Sequence, residues 1–168
     1  KFWAGRKNAF PAVGRMSPDY YCMDGTIPRR ELPRVLKGIA ALSEESGLAV
    51  ANVFHAGDGN MHPLILFDAN KEGQLALAEE VGGKILELCV AAGGSITGEH
   101  GVGREKINQM CSQFQADEIS VFHALKAAFD PQRLLNPGKN IPTLARCAEF
   151  GAMHVHNNEL PHPELPRF

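Results

Sequence analysis

The segment LAVANVFHAGDGNMHPLILFD, residues 48–68, decides the fold of this chain. Its two ends, residues 48–55 and 61–68, are apolar runs of strand length, and the residues AGDGN between them are typical of a turn. We therefore predict a β-hairpin in which Gly57 and Gly59 permit the positive φ angles that its loop needs.

Helical patterns flank this hairpin on both sides. Pro28 fits the first turn of a helix, and the spacing of apolar residues after it predicts a helix that ends near Gly47. A second helix is predicted from about residue 70 to residue 92, with Gly93 and Gly94 ending it. The buried stripes are expected to be Leu32, Val35, Leu36, Ile39 and Leu42 in the first helix and Leu77, Val81, Ile85 and Leu88 in the second.

Short strands at residues 19–25 and 94–97 complete the order β-α-β-β-α-β, which is the pattern of a ferredoxin-like fold. We therefore predict an α+β fold in which an antiparallel sheet carries helices on one face. C-terminal helices, near residues 103–111 and 117–129, and an extended tail follow. The expected organisation is an N-terminal segment at 1–18, a ferredoxin-like half at 19–98, a site loop with C-terminal helices at 99–140, and the tail at 141–168.

The composition restricts the class of protein. The chain of 168 residues is 44% hydrophobic and 21% charged, with a formal net charge of −2, which is typical of one ordinary globular domain. The near-balanced charge argues against nucleic acid as a partner. No apolar run approaches the roughly 18 residues of a membrane span, and no secretory signal is visible. We expect a cytoplasmic protein without direct membrane insertion.

The cysteines Cys22, Cys89, Cys111 and Cys147 are far apart in the sequence and form no CxxC pair. This spacing argues against a disulfide framework or a zinc knuckle, and we expect reduced thiols. The chain begins with Lys1 rather than methionine, and KFWAGRKNAF is typical of the interior of a protein. We therefore expect a fragment of a longer polypeptide.

Two histidines lie on either side of the hairpin turn. If the loop is GDGN, residues 57–60, then His55 and His62 are directly opposed on one face, with Cβ atoms roughly 4.5–5.5 Å apart. Both imidazoles can then bind one metal ion, and Glu99 can supply a third ligand. Two histidines and a carboxylate with open positions are typical of a catalytic metal site. The alternative, that both segments are ordinary glycine-rich turns, stays open at this point.

Four motifs occur together: WAGRKNAF (3–10), HAGDGNMH (55–62), GGSITGEHGVGREK (93–106) and FDPQRLLNPGK (129–139). Together they resemble the C-terminal part of FAD-linked oxidases of the vanillyl-alcohol-oxidase type, within which the glycolate oxidase branch is the most similar. The resemblance implies a cap domain of an FAD-dependent 2-hydroxy-acid dehydrogenase. It also implies that FAD is held mainly by an N-terminal domain absent from this sequence, so the chain alone should be inactive.

The same resemblance implies roles for residues near the hairpin. It implies that His55, His62 and Glu99 bind a divalent metal ion, Zn²⁺ or Mn²⁺, and that His100 is the general base. The expected chemistry is metal-assisted removal of the 2-hydroxyl proton together with hydride transfer to the flavin.

Other residues bear on the substrate and the flavin. The resemblance implies that Arg6 holds the substrate carboxylate, and Asn136 and Lys139 are candidates for contact with the flavin. Relatives that use dicarboxylates carry an asparagine where this chain has Leu64 and a lysine where it has Cys22. The missing lysine favours a small monocarboxylate such as glycolate or D-lactate, whereas the missing asparagine leaves the polar contacts around the site open.

The expected partners are the 2-hydroxy acid, the N-terminal FAD domain of the same protein, and iron–sulfur partner subunits of a glycolate oxidase complex. Association with a membrane would occur only through those subunits. Two alternatives stay open: a stand-alone ferredoxin-like module that binds a metal or ligand, and a domain that docks partner subunits.

Overall fold

The computed structural model describes residues 4–5, 8–143 and 147. Their contacts divide the chain into two compact units, Lys1–Glu99 and His100–Phe168. The first unit contains α1 (Ala9–Val13), β1 (Asp19–Cys22), β2 (Gly25–Thr26), a 3-10 turn (Arg29–Glu31), α2 (Leu32–Ser46), β3 (Val50–His55), β4 (Asn60–Phe67) and α3 (Gln74–Ala91). The second contains α4 (Ile107–Gln113) and α5 (Ala116–Phe129).

β4 is the central strand of a four-stranded antiparallel sheet. β3 pairs with one edge of β4, while β1 and β2 pair one after the other with its second edge. Every residue of β4 is buried, because the strand has neighbours on both edges and packing on both faces. The predicted α+β class with an antiparallel sheet is confirmed.

Helices α2 and α3 pack on each other and on the sheet. They approach closely because small residues lie at the contacts: a Cβ at Gly25 of β2 would lie 2.9 Å from Cys89 Sγ of α3, and one at Gly38 would lie 2.8 Å from Leu88 Cδ1. The presence of α2 and α3 confirms the two predicted helices. α2 ends at Gly47, as predicted, with a φ of 71°.

The opposite face of the sheet carries a small apolar cluster. Val13 of α1 packs there with Leu64 and Leu66 of β4, and three partly buried residues line its margin, namely Cys22, Ala51 and Val53. Residues two apart along a strand point to the same face, so His62 shares this face with Leu64. This face of the sheet therefore carries both the apolar cluster and the histidines.

The hairpin register differs by two residues from the predicted one. His55 pairs with Asn60, and Val53 pairs with His62. The loop is therefore 56–59 rather than 57–60, and the amide of Gly59 closes it by donating to the carbonyl of His55 at 3.0 Å. A shift by an even number of residues leaves every side chain on its predicted face. The two histidines consequently remain on one face, as diagonal rather than direct neighbours.

The strand predicted at residues 94–97 is reduced to an isolated bridge between Thr26 and Ser95. After this bridge the chain turns away from the sheet, and the Thr97 hydroxyl and the next two backbone amides donate to the carboxylate of Asp24. Side-chain hydrogen bonds here replace the strand pairing that the ferredoxin-like pattern predicts.

In the second unit, α4 and α5 confirm the predicted C-terminal helices. A disulfide joins Cys111 to Cys147, with Cα atoms 5.2 Å apart. The expectation that all cysteines are reduced thiols is therefore wrong for this pair. The two cysteines are 36 residues apart in sequence, and local spacing carries no information about a contact made by folding over that distance.

Part of the predicted organisation lies outside the described residues. Of the tail predicted at 141–168, only residues 141–143 and Cys147 are described. Within the described part of the chain, no helix combines the length and the apolar character needed to cross a membrane.

We predict that Gly59→Ala lowers the free energy of unfolding by at least about 2 kcal/mol, because it combines a strained left-handed backbone with a steric overlap. Gly59 has a φ of 79°, and a Cβ at this position would overlap the carbonyl oxygen of Ile27. Urea denaturation followed by circular dichroism measures the effect.

The matched control is Gly57→Ala in the same loop, where an added Cβ meets no atom within 4 Å. This variant should stay within about 0.5 kcal/mol of the parent. Equal losses of stability in the two variants would contradict the account of the loop.

Candidate metal centre

The hairpin and the segment after α3 bring two histidines and a glutamate together. His55 Nε2 lies 3.2 Å from Glu99 Oε1, and His62 Nε2 lies 3.6 Å from the same oxygen. Two ligand atoms of a tetrahedral zinc ion, each about 2.1 Å from the metal, are roughly 3.4 Å apart. The donor spacing in the structure therefore fits a shared metal ion.

The histidines reach the glutamate from neighbouring strands. His55 is the last residue of β3, and His62 lies near the start of β4. Their ring centroids are 5.3 Å apart, and the ring planes meet at 81°. One ligand atom from each of His55, His62 and Glu99 lies within 4.8 Å of the others.

The cluster is buried on one side and open on the other. The His62 side chain is 8% exposed, that of His55 28%, and that of Glu99 51%. An ion held here would keep coordination positions open on the side of Glu99. That arrangement is typical of catalytic metal sites, because structural sites are closed by protein ligands.

Asn60 is a member of this site that the sequence analysis treated only as part of the turn. Its Nδ2 donates to Glu99 Oε1 at 2.7 Å. This hydrogen bond is the largest cause of the lowered pKa of Glu99, and the neighbouring His55 and His62 lower the pKa further. The carboxylate therefore stays ionised at neutral pH, as a metal ligand must be.

Gly98 gives Asn60 the room to reach Glu99. A Cβ at Gly98 would overlap both Thr26 Oγ1 and the side-chain amide of Asn60. Among the described residues, Thr26 Oγ1 and Asn60 Oδ1 are buried without a hydrogen-bond partner. Buried polar atoms normally bond to protein, water or a ligand.

The remaining predicted site residues belong to the second unit or lie outside the described residues. His100 follows Glu99 in the chain, is exposed, and is the first residue of the second unit. Asn136 and Lys139 are exposed in that unit, where Lys139 Nζ lies 3.3 Å from Asn136 Oδ1. Arg6 lies outside the described residues. The roles of these four residues stay predictions.

Two imidazole nitrogens and one carboxylate oxygen suit Zn²⁺ and also fit Mn²⁺, since nitrogen and oxygen donors bind both ions. The open positions can accept oxygen atoms of a substrate. A site of this kind polarises an oxygen-containing substrate and lowers the pKa of a bound hydroxyl group.

Comparison with known proteins gives these residues a family context. The profile of the family described as "FAD linked oxidases, C-terminal domain" matches residues 1–140. The chain is 79% identical over 168 residues to glycolate oxidase subunit GlcD of Escherichia coli (strain K12). The aligned region covers 100% of this chain and 34% of that protein. It is 36% identical over 141 residues to glycolate oxidase subunit GlcD of Bacillus subtilis (strain 168), covering 84% of this chain and 30% of that protein.

A more distant similarity joins the chain to the mitochondrial D-lactate dehydrogenase (cytochrome) of Arabidopsis thaliana. The two are 31% identical over 144 residues, which cover 84% of this chain and 25% of that protein. The chain thus spans about a third or less of the length of these relatives. The comparisons confirm the resemblance that the four motifs carry.

We predict that Asn60→Ala raises the pKa of Glu99 toward its ordinary value of about 4.3, because the amide hydrogen bond that favours the ionised form is lost. In the parent, folding lowers this pKa. The resulting stabilisation is present above the ordinary pKa and is lost as the pH falls through the lowered one. Titration of the ¹³C-labelled Glu99 carboxyl group by NMR measures the change.

Asn52→Ala is the matched control, because Asn52 is an exposed asparagine of β3. It should leave the titration of Glu99 unchanged. An unchanged Glu99 titration in Asn60→Ala as well would contradict the account of this hydrogen bond.

Proposed function

Because the chain belongs to the family of FAD-linked oxidase C-terminal domains, we propose that it is the cap domain of an FAD-dependent 2-hydroxy-acid dehydrogenase that oxidises glycolate or D-lactate. The observation that carries this proposal is the cluster of His55, His62 and Glu99. The names of two relatives, a glycolate oxidase subunit and a D-lactate dehydrogenase, support the substrate class. FAD would be held mainly by an N-terminal domain outside these residues.

His55 and His62 would bind a divalent metal ion through Nε2, and Glu99 would bind it through Oε1. When bound, the ion supplies Lewis-acid chemistry, lowering the pKa of the substrate hydroxyl group and orienting its oxygens. Asn60 holds Glu99 Oε1 at 2.7 Å, so this ligand is oriented before the metal binds. An oriented ligand loses less conformational freedom on binding, which increases affinity.

His100 would take the proton from the 2-hydroxyl group of the substrate. A histidine suits this role because its ordinary pKa is close to physiological pH. Since His100 directly follows Glu99, the proposed base and a proposed metal ligand lie in the same loop. A bound FAD would supply the hydride-acceptor chemistry for the α-carbon. Arg6 would hold the substrate carboxylate through its planar guanidinium group.

The residues beside His62 support a small substrate with a single carboxylate. Leu64, which is fully buried, pairs directly with Cys22 across β1 and β4, and both side chains lie on the face that carries His62. Neither side chain carries a positive charge that would pair with a second carboxylate of the substrate.

We further propose that the protein works with other subunits, including iron–sulfur subunits, in the cytoplasm or at a membrane to which those subunits attach it. The word "subunit" in the names of the GlcD relatives supports an assembly. An exposed apolar surface supports docking: Val121, Leu125 and Phe129 of α5 are 65%, 57% and 80% exposed. Exposed apolar patches of this kind usually mark a contact with another domain or protein.

We predict that the complete polypeptide containing these residues, stripped with a chelator, binds Zn²⁺ or Mn²⁺ at one site in the cap domain. His62→Ala and Glu99→Gln should each weaken binding at least tenfold, about 1.4 kcal/mol, because each removes one ligand. Isothermal titration calorimetry measures the affinity.

His123→Asn is the control for the loss of a histidine. His123 Nε2 lies 2.9 Å from the carbonyl oxygen of Pro142, outside the cluster, so its replacement should leave the metal affinity unchanged. If the ligand variants bind the metal as tightly as the parent, the proposed metal site is wrong.

We also predict that His100→Asn slows flavin reduction by the 2-hydroxy acid about 10²- to 10⁴-fold, because the proton acceptor is lost. Stopped-flow absorbance of the flavin measures the rate. A parent-like rate in a variant that retains FAD would remove His100 from this role.

A further inference from the structure

We infer that Asp24 is the positioning residue of the candidate metal centre: its buried carboxylate fixes residues 97–99 and thereby directs Glu99 toward the two histidines. This inference rests on the proposed function, because it treats Glu99 as a metal ligand. No motif of the sequence analysis includes Asp24, which lies in the break between β1 and β2.

The carboxylate of Asp24 gathers donors from three consecutive residues. Its Oδ2 accepts hydrogen bonds from Thr97 Oγ1 at 2.8 Å and from the Gly98 amide at 3.0 Å. The Glu99 amide donates to both carboxylate oxygens, at 3.2 Å to Oδ1 and 3.1 Å to Oδ2. These contacts involve the backbone of Glu99 itself, so Asp24 acts directly on the proposed ligand.

These bonds control the local conformation because residues 97–99 belong to no helix or strand. Backbone amides in regular structure are oriented by their neighbours, whereas here a single side chain orients two amides in succession. The direction in which the Glu99 side chain leaves the backbone therefore depends on Asp24.

Asp24 is itself rigidly held. It is 0% exposed, and the residues on either side of it are tied to β4. The amide of Met23 donates to the carbonyl of Pro63 at 3.1 Å, and Gly25 pairs with Met61. The contacts with β4 therefore fix the position of Asp24, and Asp24 in turn fixes the segment that carries Glu99.

The chemistry of the site requires a carboxylate. A carboxylate offers two oxygens with about four acceptor positions, whereas an asparagine amide offers one oxygen and directs an NH₂ group at the remaining donors. A carboxylate buried without donors would be strongly unfavourable. The three donors from 97–99 therefore stabilise Asp24, and Asp24 in turn fixes their positions.

Glu99 is consequently held at both ends. Asp24 fixes its backbone amide, and Asn60 fixes its carboxylate oxygen at 2.7 Å. Asn60 of β4 pairs directly with Thr26 of β2. Thr26 lies two residues after Asp24 in the chain. β4 and the break between β1 and β2 therefore supply the two contacts, and the ligand needs little reorganisation to bind an ion.

The test is a double-mutant cycle on the affinity of the complete polypeptide for Mn²⁺, measured by calorimetry. Asp24→Asn should weaken binding at least tenfold in the parent background, because Glu99 loses its orientation. In the Glu99→Gln background the same change should have almost no further effect. Residues that act through one group show this non-additivity, whereas independent effects on a protein add.

Two further variants separate an effect on the position of Glu99 from a general loss of stability. Thr97→Val removes one donor to Asp24 and keeps the fold, so it should weaken binding about threefold or more, again only when Glu99 is present. Ser43→Ala removes the hydrogen bond from Ser43 Oγ to the carbonyl of Leu48, 2.7 Å long and part of the α2 terminus. It should lower stability without changing the affinity.

The outcomes separate this inference from the function on which it rests. A parent that binds no Mn²⁺ overturns the proposed metal site and the role of Asp24 with it. A parent that binds Mn²⁺, with Asp24→Asn and Thr97→Val as tight as the parent, overturns the role of Asp24 alone. Additive losses in the cycle would also overturn it, because they indicate a general structural effect.

Discussion

The pairing of β4 with strands on both of its edges is the constraint on which the candidate site depends. β4 carries Asn60 and His62, β3 ends at His55, and the β1–β2 edge contains Asp24. Residues far apart in the sequence meet because one strand pairs with all of these segments. A slip of one residue in the register would move His62 to the helix-covered face and dismantle the cluster.

The two faces of the sheet differ in what they carry: one is covered by α2 and α3, and the other carries the histidines of the candidate site. α2 and α3 pack on one face, where small residues such as Gly25 and Gly38 allow close contact. The other face begins with the apolar cluster around Val13 and Leu64 and ends at the histidines. The polar groups of the site therefore lie at the margin of a buried apolar cluster, with His62 desolvated on one side and Glu99 exposed to solvent on the other.

Much of this arrangement follows from local sequence patterns. The hairpin, α2 and α3 were predictable because apolar periodicity and turn residues act over short distances. The shared face of His55 and His62 was predictable for the same reason, although the register was wrong by two residues. Loop closure at Gly59, rather than the number of turn-like residues, sets that register.

Other features depend on contacts between distant segments, and no local pattern reports them. Asp24 and Asn60 contact Glu99 across 75 and 39 residues of sequence, and the sequence predicts only a strand at Asp24 and a turn at Asn60. The Cys111–Cys147 disulfide was missed because spacing alone cannot report spatial proximity. A buried carboxylate or amide becomes recognisable as functional only when its hydrogen-bond partners are known.

The most direct test of the proposed metal site is anomalous X-ray diffraction from crystals of the complete polypeptide soaked with Zn²⁺, collected on both sides of the zinc absorption edge. We expect one strong anomalous peak within bonding distance of His55 Nε2, His62 Nε2 and Glu99 Oε1. A well-ordered hairpin without a peak at these atoms, or with the peak at another group of residues, would contradict it.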